Sequence, residues 1–364
     1  MARYDIAIVG AGIAGASLAA AVAPHASVVI LEAEERPGYH ATGRSAAFWS
    51  ETYGGPWVQP LTSASEAALR AGGFLDPLGS LQIGRSGDAP RIEAFLREFD
   101  GSGVPLEAVD PRAYVPGLRA TWTLGVFERS CAYIDVAGLH AAYLAEAKRQ
   151  GVVVLLDAPL THAERANGAW RLGTGAGPID ATILVDAAGA WADEVAERAG
   201  VAPIGISAFR RTMVQLRTDP ALQANLPHVA DISGTFYFKP EAGGRLWLSP
   251  HDEIPAEPGD AQPEEIDVAI AIDRLEQAVD WRVTRVEHRW AGLRSFAPDR
   301  LPVYGFDPQA PGFFWCAGQG GFGIQTAPAA AALAAAVLLG TTPEPFVAAI
   351  DPARYAPNRF RSLA

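Results

Sequence analysis

The sequence predicts an α/β fold joined to a second domain of α+β type, and three observations support this prediction. An apolar run at residues 6–9 opens into the glycine-rich segment 10–15, and a second apolar run, at 28–31, follows a helical stretch. The apolar run 183–185 predicts a buried strand that ends in small residues. Between about residues 207 and 289, apolar and polar residues alternate, a pattern typical of antiparallel strands.

The first of these segments has the spacing of a nucleotide-binding βαβ unit. Gly10 allows the tight turn after the strand, Gly12 lets the backbone approach a pyrophosphate, and Gly15 lets the helix pack closely on the strand. Glu32 follows the second strand, where a carboxylate accepts hydrogen bonds from ribose hydroxyls. A glycine-rich turn in another kind of α/β protein is the alternative, but it does not explain Glu32. The sequence therefore predicts a Rossmann-like dinucleotide-binding domain.

Two further segments favour FAD over a nicotinamide cofactor. Residues 37–47 are rich in small and hydroxyl-bearing side chains, which suit a segment that wraps a second phosphate or an isoalloxazine ring. Near the other end, the glycine-rich segment 318–323 precedes an alanine-rich stretch at 325–339. A helix N-terminus there would stabilise the negative charge that a reduced flavin carries at N1 and O2. Close helix packing is the alternative reason for these glycines.

Charge and hydropathy argue against nucleic-acid and membrane partners. The net charge of −12 disfavours binding to nucleic acid and to anionic membranes. No basic segment of the signal-peptide kind precedes the first apolar run, so we expect no signal peptide. The most apolar stretch, residues 327–340, is shorter than the roughly 20 residues that span a bilayer. We therefore expect a buried helix there and no membrane span.

The cysteines and histidines predict neither a disulfide nor a metal site. Cys131 and Cys316 are far apart in the sequence and form no CxxC pair. The seven histidines show neither HxH nor HExxH spacing, so we expect no zinc or iron centre. These features favour a cytoplasmic protein without a bound metal.

Two arginines and two tyrosines are candidates for binding a substrate. Arg211 lies at the start of a predicted strand, and Arg294 lies among apolar and small neighbours at 290–296. An arginine in such surroundings needs an anionic partner, because an unpaired buried charge is costly, and a carboxylate that accepts two hydrogen bonds would serve. A structural ion pair is the alternative. Tyr237 and Tyr53 offer phenols, although either tyrosine alone is also typical of a half-buried packing residue.

Several short motifs are spread along the chain from end to end. They are PGYHATGRSAA at 37–47, Tyr53-Gly54, AAGAW at 187–191, Arg210-Arg211, FYFKP at 236–240, WAGLRSF at 290–296 and GQGGFGIQT at 318–326. Together they resemble the D-amino-acid oxidase group of flavoproteins, which also contains the glycine and sarcosine oxidases. Within that group they resemble the D-arginine dehydrogenases most.

The resemblance implies a site for an amino-acid carboxylate and amine. Its residues would be Tyr53, Arg211, Tyr237, Arg294, Gly321 and Gln325. The loop that carries Ser45 and Tyr53 would act as a lid. FAD would be bound without a covalent link, by Gly10, Gly12, Ile13, Ala14, Gly15, Glu32, Ala33, Thr42, Gly43, Arg44, Ser45, Ala46, Ala47, Leu160, Ala188, Gly189, Trp191, Arg294, Gly320, Gly321, Phe322, Gly323, Ile324, Gln325 and Thr326.

The implied reaction is hydride transfer from the substrate α-carbon to flavin N5. The imino acid that results would hydrolyse to a 2-oxo acid and ammonia. Two departures change the expected substrate. Where the D-arginine dehydrogenases have a glutamate for a guanidinium, this chain has Ser80, and where they have a lid histidine it has Phe48, next to Trp49. We therefore expect a pocket for D-amino acids with neutral or apolar side chains.

Three other functions stay open at this point. They are an O2-using oxidase of glycine, sarcosine or other secondary amines, a 2-hydroxy-acid dehydrogenase, and a flavoprotein without turnover. Lys148 and Lys239 are the only lysines, so an ammonium that assists O2 reduction has few candidates. Lys239 would share a strand face with Tyr237. The lysine count favours a dehydrogenase that passes electrons to a quinone or other acceptor.

The expected domain organisation is interleaved. Residues 1–78, 136–204 and 290–364 would form the FAD-binding domain, and residues 79–135 and 205–289 would form the substrate domain. The segment 253–265 is rich in proline and acidic residues, and this composition predicts a mobile loop. We expect a monomer or a weak homo-oligomer.

Overall fold

The computed structural model describes residues 2–222 and 225–360, and within them the strands form three sheets of eight, ten and three strands. The strands are β1 (Ala2–Val9), β2 (Val28–Leu31), β3 (Phe48–Trp49), β4 (Leu75–Pro77), β5 (Ser80–Arg85), β6 (Leu106–Val109), β7 (Trp122–Glu128), β8 (Ala132–Ile134), β9 (Val153–Leu155), β10 (Leu160–Ala166), β11 (Ala169–Thr174), β12 (Ile179–Asp186), β13 (Ser207–Asp219), β14 (His228–Asp231), β15 (Tyr237–Glu241), β16 (Arg245–Ser249), β17 (Ile254–Pro255), β18 (Arg282–Phe296), β19 (Val303–Phe306), β20 (Phe313–Ala317) and β21 (Gln319–Gly320).

The α-helices connect these strands and cover the sheets. They are α1 (Ile13–Val22), α2 (Gln59–Ala71), α3 (Ala89–Glu98), α4 (Val136–Arg149), α5 (Ala192–Arg198), α6 (Glu265–Ala278) and α7 (Ala327–Leu339). Short 3-10 turns span Ala41–Arg44, Ser86–Asp88, Pro111–Ala113, Gly189–Trp191, Pro352–Tyr355 and Pro357–Phe360.

The first sheet is the predicted nucleotide-binding one. Its strand order is β10-β11-β12-β1-β2-β9, and β20 pairs with β12 and β19. The β1 strand runs parallel to both β2 and β12, so that Ile6 lies beside Val28 on one side and Ile183 on the other. Side chains of successive residues alternate between the two faces of a strand. Ile6 therefore packs in one buried core and Ala7 in another, and both faces of this sheet are covered.

Helices α1 and α7 share the core on one face of this sheet. Leu18 and Val22 of α1 and Leu333 and Leu338 of α7 belong to one buried cluster with Ile6. Alanines at most of the other buried positions of α7 let the two helices lie close together. The two predicted glycine-rich segments precede these helices and lie side by side, because a Cβ on Gly323 would come within 3.8 Å of Ile13.

The second sheet is antiparallel except for one pair. Its order is β21-β18-β13-β16-β15-β14-β5-β7-β6, with β14 and β5 parallel. Val214 and Leu216 pack in the same buried cluster as residues of α6. Because strand side chains alternate, Arg211 and Met213 of the same strand face the other way. Arg294 of β18 lies next to Phe209 of β13 in this sheet.

The predicted fold class, an α/β unit with a second antiparallel sheet, is confirmed. The predicted strand 183–185 lies within β12, and the alternating stretch 207–289 contains the strands β13 to β17. The border expected at residue 290 falls inside β18, which continues in the antiparallel sheet to Phe296. The three-stranded sheet β3-β8-β4 is separate from both large sheets. The division into two domains stays a prediction.

Candidate active site

One cavity of about 430 Å³ is lined by residues from both large sheets. From the first sheet it receives the residues that follow β1, β2 and β12, at the carboxyl ends of parallel strands, where ligands bind in α/β sheets. From the second sheet it receives side chains of β13, β15 and β18. The segments 38–48 and 319–324 supply much of the remaining wall.

Glu32 marks one end of the cavity. It is buried, and its carboxylate accepts hydrogen bonds from the backbone N–H groups of Ala11 at 2.8 Å and Glu34 at 3.0 Å. Two glycines of this turn leave no room for a side chain, because a backbone carbonyl oxygen lies against each of them. Gly10 has a φ of +101°, and a Cβ there would overlap the carbonyl oxygen of Ala187. A Cβ on Gly15 would overlap the carbonyl oxygen of Gly10, so Gly15 serves helix packing and does not line the cavity.

The segment 41–47 forms a wall along the middle of the cavity. It begins with the 3-10 turn Ala41–Arg44, and the Thr42 hydroxyl accepts a hydrogen bond from the N–H of Ile13 at 3.0 Å. This bond joins the segment to the first turn of α1. Ser45, Ala46 and Ala47 then line the cavity, and Ser45 Oγ accepts a hydrogen bond from the N–H of Ala47 at 3.1 Å.

The segment 253–265, predicted to be mobile, is held across this wall by ion pairs. The Arg44 guanidinium forms an ion pair with Asp260 and donates a hydrogen bond to the carbonyl oxygen of Ala261 at 2.9 Å. Gly259 and Ala261 line the cavity. The sequence suggested mobility from its prolines and acidic residues, but Glu253, Asp260 and Glu264 have arginine partners that lie far away in the chain.

Arg211 lies at the other end of the cavity and is only partly paired. Its Nε donates to the carbonyl oxygen of Asp252 at 2.5 Å, and its Nη2 donates to Glu253 Oε1 at 3.2 Å. Its Nη1 is buried and has no hydrogen-bond partner within the described chain. Burial lowers the pKa of Arg211, and the neighbouring Arg294 lowers it further, yet a guanidinium stays protonated in proteins. A cation with a free donor therefore lines the cavity.

Arg294 lines the same end and has no carboxylate within 4 Å among the residues that the structure describes. Its guanidinium carbon lies 5.6 Å from the centre of the Tyr53 ring. A Cβ on Gly321 would overlap the Tyr53 hydroxyl and come within 3.0 Å of Arg294 Cζ. Burial acts to lower the pKa of Arg294, but the phenols of Tyr53 and Tyr237 and two more distant carboxylates outweigh it and raise the pKa.

Aromatic and thioether side chains complete this end of the cavity. Phe48 lies 5.2 Å from Tyr53 and 6.1 Å from Tyr237, measured between ring centres. The Tyr237 hydroxyl donates to Met213 Sδ at 3.1 Å. A thioether is a weak acceptor, so this hydroxyl is free to donate to a better one. Met213 is a cavity residue that sequence reasoning missed, since a methionine in a strand gives no signal that separates it from the core.

Three residues predicted for the substrate pocket do not line the cavity, and these predictions are corrected. Trp49 is fully buried among Ile13, Leu69 and other core residues, because it follows Phe48 on a strand and points the opposite way. Ser80 is buried too, and its hydroxyl lies 2.9 Å from Nδ1 of His228, whose ring stacks on Phe48.

Gln325 is the third corrected residue. It lies beneath the cavity wall, where its amide donates to the carbonyl oxygen of Tyr53 and to the hydroxyl of Thr62, each at 2.9 Å. Its Oε1 accepts a hydrogen bond from the N–H of Ser50 at 3.3 Å. Gln325 therefore holds the turn that carries Tyr53 rather than the substrate.

A buried carboxylate that sequence reasoning missed holds the same turn from the other side. Glu128 accepts hydrogen bonds from the hydroxyls of Ser50 at 2.8 Å and Thr52 at 2.6 Å, and from the N–H of Glu51 at 2.7 Å. Burial raises its pKa, and these hydrogen bonds act to lower it. No sequence pattern marks Glu128, because the turn that it holds lies more than 70 residues away in the chain.

Most of the predicted cofactor residues line the cavity. They are Gly10, Gly12, Ile13, Ala14, Glu32, Ala33, Thr42, Arg44, Ser45, Ala46, Ala47, Leu160, Ala188, Gly189, Trp191, Arg294, Gly320, Gly321, Gly323 and Ile324. Besides Gly15 and Gln325, the exceptions are Gly43, Phe322 and Thr326. Phe322 and Thr326 are buried, and Phe322 packs on Val58 and Phe296. Gly43 faces a neighbouring groove.

Comparison with known proteins decides what this cavity holds. Residues 5–337 match the DAO family, described as FAD dependent oxidoreductase. The chain belongs to this family. It is an FAD-dependent oxidoreductase with the DAO fold.

The residues present fit FAD in this DAO-family chain. Glu32, with the glycine turn at 10–15, suits the adenosine ribose and the pyrophosphate. The small residues at 45–47 and the backbone at 320–324 leave the space that a planar ring system needs. Arg211 and Arg294 lie at the end away from Glu32, where they are available to a substrate.

Relatives of known sequence include dimethylglycine dehydrogenase from Homo sapiens mitochondria, 26% identical over 264 residues. That match covers 67% of this chain but only 30% of the relative, so the chain spans under a third of its length. Glycine oxidase from Pseudomonas aeruginosa is 26% identical over 381 residues, with 97% of this chain and 98% of that protein covered. The crystal structure of glycine oxidase from Geobacillus kaustophilus has a TM-score of 0.83 at 22% identity, with 98% of each chain covered.

Two further observations concern membranes and metals. Among the residues that the structure describes, no helix is both long and apolar enough to cross a membrane. Residues 2–222 and 225–360 contain no group of three or more histidine, cysteine, aspartate or glutamate side chains arranged to hold a metal ion.

Proposed function

We propose that this DAO-family enzyme oxidises the Cα–N bond of D-amino acids with neutral or apolar side chains to imino acids. The observation that carries the proposal is the pair of cations at one end of the cavity. Arg211 has a buried Nη1 without a partner, and Arg294 has no carboxylate within 4 Å in the described chain. Two such charges require an anion, and a substrate carboxylate supplies one.

The chain's residues orient the substrate for this reaction. FAD, when bound, accepts a hydride at N5 from the substrate α-carbon. Arg211 and Arg294 would fix the carboxylate, and Tyr237 would turn its hydroxyl from Met213 to the substrate. Tyr53 would exclude water above Arg294. The imino acid then hydrolyses in water to a 2-oxo acid and ammonia.

The substrate ammonium group would lose its proton without help from a base of the protein. The side chains that line the arginine end of the described cavity are aromatic, thioether, hydroxyl and guanidinium groups, and the acids that line the cavity, Glu32 and Glu34, belong to its other end. Two guanidinium charges nearby disfavour a protonated amine. We therefore expect the rate of flavin reduction to rise with pH as the substrate amine loses its proton.

The side-chain preference follows from what faces the substrate. Phe48, Met213 and Tyr237 offer apolar surface, and no cavity-lining carboxylate stands near them in the described chain. Glu253, which is near Arg211, is already paired with Arg211 and with Arg300. A cationic side chain would lose water without gaining a partner, whereas an apolar one would gain by burial. The D configuration rests on the family resemblance alone.

Electron transfer to a quinone or other acceptor, rather than to O2, is part of the proposal. Lys148 and Lys239 are the only lysines of the chain, and neither lines the cavity. An ammonium beside the flavin, which would assist O2 reduction, is thus not supplied by either lysine. A location in the cytoplasm and a monomeric or weakly associating state also remain predictions.

A second candidate function is an oxidase of glycine, sarcosine or another small secondary amine. The match to glycine oxidase over nearly the full length of both chains favours it. A flavoprotein without turnover is less favoured, because it needs no pair of arginines for a carboxylate. A 2-hydroxy-acid dehydrogenase would use the same pair, and flavin reduction by 2-hydroxy acids distinguishes it.

Anaerobic flavin reduction tests the proposal directly. The holoenzyme is mixed without oxygen with D- and L-amino acids, glycine, sarcosine and 2-hydroxy acids, and loss of the visible absorption of oxidised flavin is followed. We expect the fastest bleaching with D-Leu, D-Met or D-Phe and none with their L-enantiomers. Faster bleaching by glycine or sarcosine would establish the second candidate instead, and bleaching only by 2-hydroxy acids would exclude both.

A further inference from the structure

A second concavity, of about 1100 Å³, lies beside the cofactor cavity and is not used by the reaction described so far. Five residues line both spaces: Gly38, Tyr39, Thr42, Ser45 and Ala47. The wall between the two is therefore a single chain segment, 38–47. The other side of this groove is formed by the hairpin of β15 and β16 and by β8 and the start of α4. We call this space the hairpin groove.

A lysine is enclosed in the wall of the hairpin groove. Lys239 is 1% exposed, and its Nζ lies 4.7 Å from the centre of the Tyr133 ring and 4.3 Å from that of Trp247. It donates one hydrogen bond, to Glu241 Oε2 at 2.8 Å. An ammonium has three N–H donors. Lys239 lines the hairpin groove and not the cofactor cavity, which Tyr237 lines.

The aromatic rings around Lys239 are held in fixed positions. The Tyr133 hydroxyl donates to the carbonyl oxygen of Pro240 at 2.8 Å. The indole N–H of Trp247 donates to Gln215 Oε1 at 3.0 Å. Rings fixed by their polar ends present flat apolar surface at a small cost in side-chain entropy.

A pair of tryptophans connects this groove with the cofactor cavity. Trp247 packs edge-to-face on Trp290, with 5.0 Å between ring centres. The indole N–H of Trp290 donates to the carbonyl oxygen of Arg44 at 3.1 Å. Arg44 lines the cofactor cavity. The groove and the cavity are therefore connected through packed side chains as well as through their shared wall.

We propose that the hairpin groove binds a quinone, the electron acceptor of the enzyme. This inference rests on the proposed function. A quinone is a planar aromatic ring with carbonyl oxygens, so its ring would stack on Trp247 and a carbonyl oxygen would accept a hydrogen bond from the Lys239 ammonium. The segment 38–47 keeps it out of the substrate pocket. Two electrons and two protons pass from the reduced flavin to the quinone, which becomes a hydroquinone, and the flavin returns to its oxidised state.

Calorimetry on the oxidised holoenzyme tests binding without turnover, because an oxidised flavin cannot reduce a quinone. The probe is 1,4-naphthoquinone, titrated into wild type, Trp247→Ala and the control Trp57→Ala, whose tryptophan is 54% exposed and lines neither space. We expect Trp247→Ala to weaken binding by about tenfold or more, through loss of stacking and buried apolar surface, and Trp57→Ala to bind as wild type does. Equal affinity in all three proteins would overturn the proposal.

A second variant covers the case in which Trp247→Ala fails to fold. Lys239→Met with Glu241→Gln removes the ammonium and its partner together, so that no unpaired charge is left buried. Flavin reduction by amino acid and flavin reoxidation by 1,4-naphthoquinone are then measured separately by stopped flow. We expect reoxidation to slow by about tenfold or more, as loss of a hydrogen bond from a charged donor implies, while reduction stays unchanged.

Failure of this inference is distinguishable from failure of the proposed function. If no amino acid bleaches the flavin, the proposed function fails, while the calorimetry still reports on the groove and dithionite-reduced enzyme still reports reoxidation. If reoxidation is unaffected in Lys239→Met/Glu241→Gln, or if the quinone competes with the amino acid for the oxidised enzyme, the groove is not the acceptor site.

Discussion

Arg211 and Arg294 line the same end of one cavity, yet only Arg211 has a carboxylate partner within 4 Å in the described chain. This inequality distinguishes their roles. Arg211 is anchored by the segment that carries Asp252 and Glu253, whereas the Arg294 guanidinium lies beside the Tyr53 ring and the Gly321 backbone. The positive charge of Arg294 is therefore less compensated by the described chain than that of Arg211, so Arg294 is the stronger candidate to bind a substrate carboxylate.

Replacing Arg294 by lysine tests whether its guanidinium binds the substrate carboxylate. Lysine keeps the charge but lacks the planar fork, so we expect kcat/KM for the preferred amino acid to fall by roughly 2 to 4 kcal/mol in transition-state stabilisation, with FAD still bound. Steady-state kinetics and the flavin-to-protein ratio are the measurements. Arg300→Lys, at an exposed ion pair, serves as the control and should lose far less. If Arg294→Lys unfolds or loses flavin, Arg294 is a structural residue.

The apolar wall predicts the order of substrates. We expect kcat/KM to be higher for D-Leu, D-Met or D-Phe than for D-Arg, because Phe48 and Met213 favour buried apolar surface and leave a guanidinium without a partner. Kinetics with an artificial electron acceptor measure this order. A preference for D-Arg or D-Lys by more than about tenfold, or roughly 1.4 kcal/mol, would contradict the reading of the pocket.

Ser80→Glu separates the sequence-based view of this pocket from the structural one. The sequence suggested that a glutamate at Ser80 would create a site for D-Arg. Because Ser80 is buried behind His228 and Phe48, we now expect no gain for D-Arg and a loss of stability of several kcal/mol from the buried carboxyl. Thermal unfolding and D-Arg kinetics on the same preparation measure both effects. Faster turnover of D-Arg at unchanged stability would show that the structural placement of Ser80 is wrong.

His228 predicts how stability depends on pH. Burial, assisted by the Lys239 charge, lowers its pKa to about 3 from 6.5. The folded chain thus keeps His228 neutral, while the unfolded chain takes up a proton below pH 6.5. The stability that depends on neutral His228 should therefore be complete above pH 6.5. Below that pH the free energy of unfolding should fall towards pH 3, with His228 contributing at most about 1.4 kcal/mol per pH unit.

Urea unfolding between those pH values measures this dependence. His228→Asn keeps a hydrogen-bonding group near the Ser80 hydroxyl and removes the titration, so its acid dependence should be shallower. His288→Asn, at an exposed position of β18, is the matched control. An identical slope in His228→Asn and wild type would mean that other groups cause the acid dependence.

Flavin attachment is expected to be non-covalent. Cys131 and Cys316 are the only cysteines, and both thiols are buried. Burial raises the pKa of Cys316 to about 12, so its thiol stays protonated and is a poor nucleophile. Heat or acid precipitation should leave yellow FAD in the supernatant, identified by chromatography. Flavin that remains with the precipitated protein would contradict this.

The parts of the site that the sequence predicted are the parts with local patterns. Gly10, Gly15 and Glu32 follow a fixed spacing whose physical reasons are visible in their contacts. Trp49 was misplaced because neighbouring residues on a strand face opposite ways, and a run of aromatic residues does not show which one faces the cavity. Gln325 was misplaced because its partners come from a turn 272 residues away in the sequence.

The ion pair between Arg44 and Asp260 has a consequence for how the cofactor is retained. These residues are 216 positions apart, and they join the segment 41–47 to the loop between β17 and α6. A molecule that occupies the cavity lies against residues of both large sheets, so its binding free energy adds to the stability of the chain that both sheets share. Weakening this tie by Asp260→Asn would shorten the residence time of the flavin while leaving the chemistry at the arginine end intact.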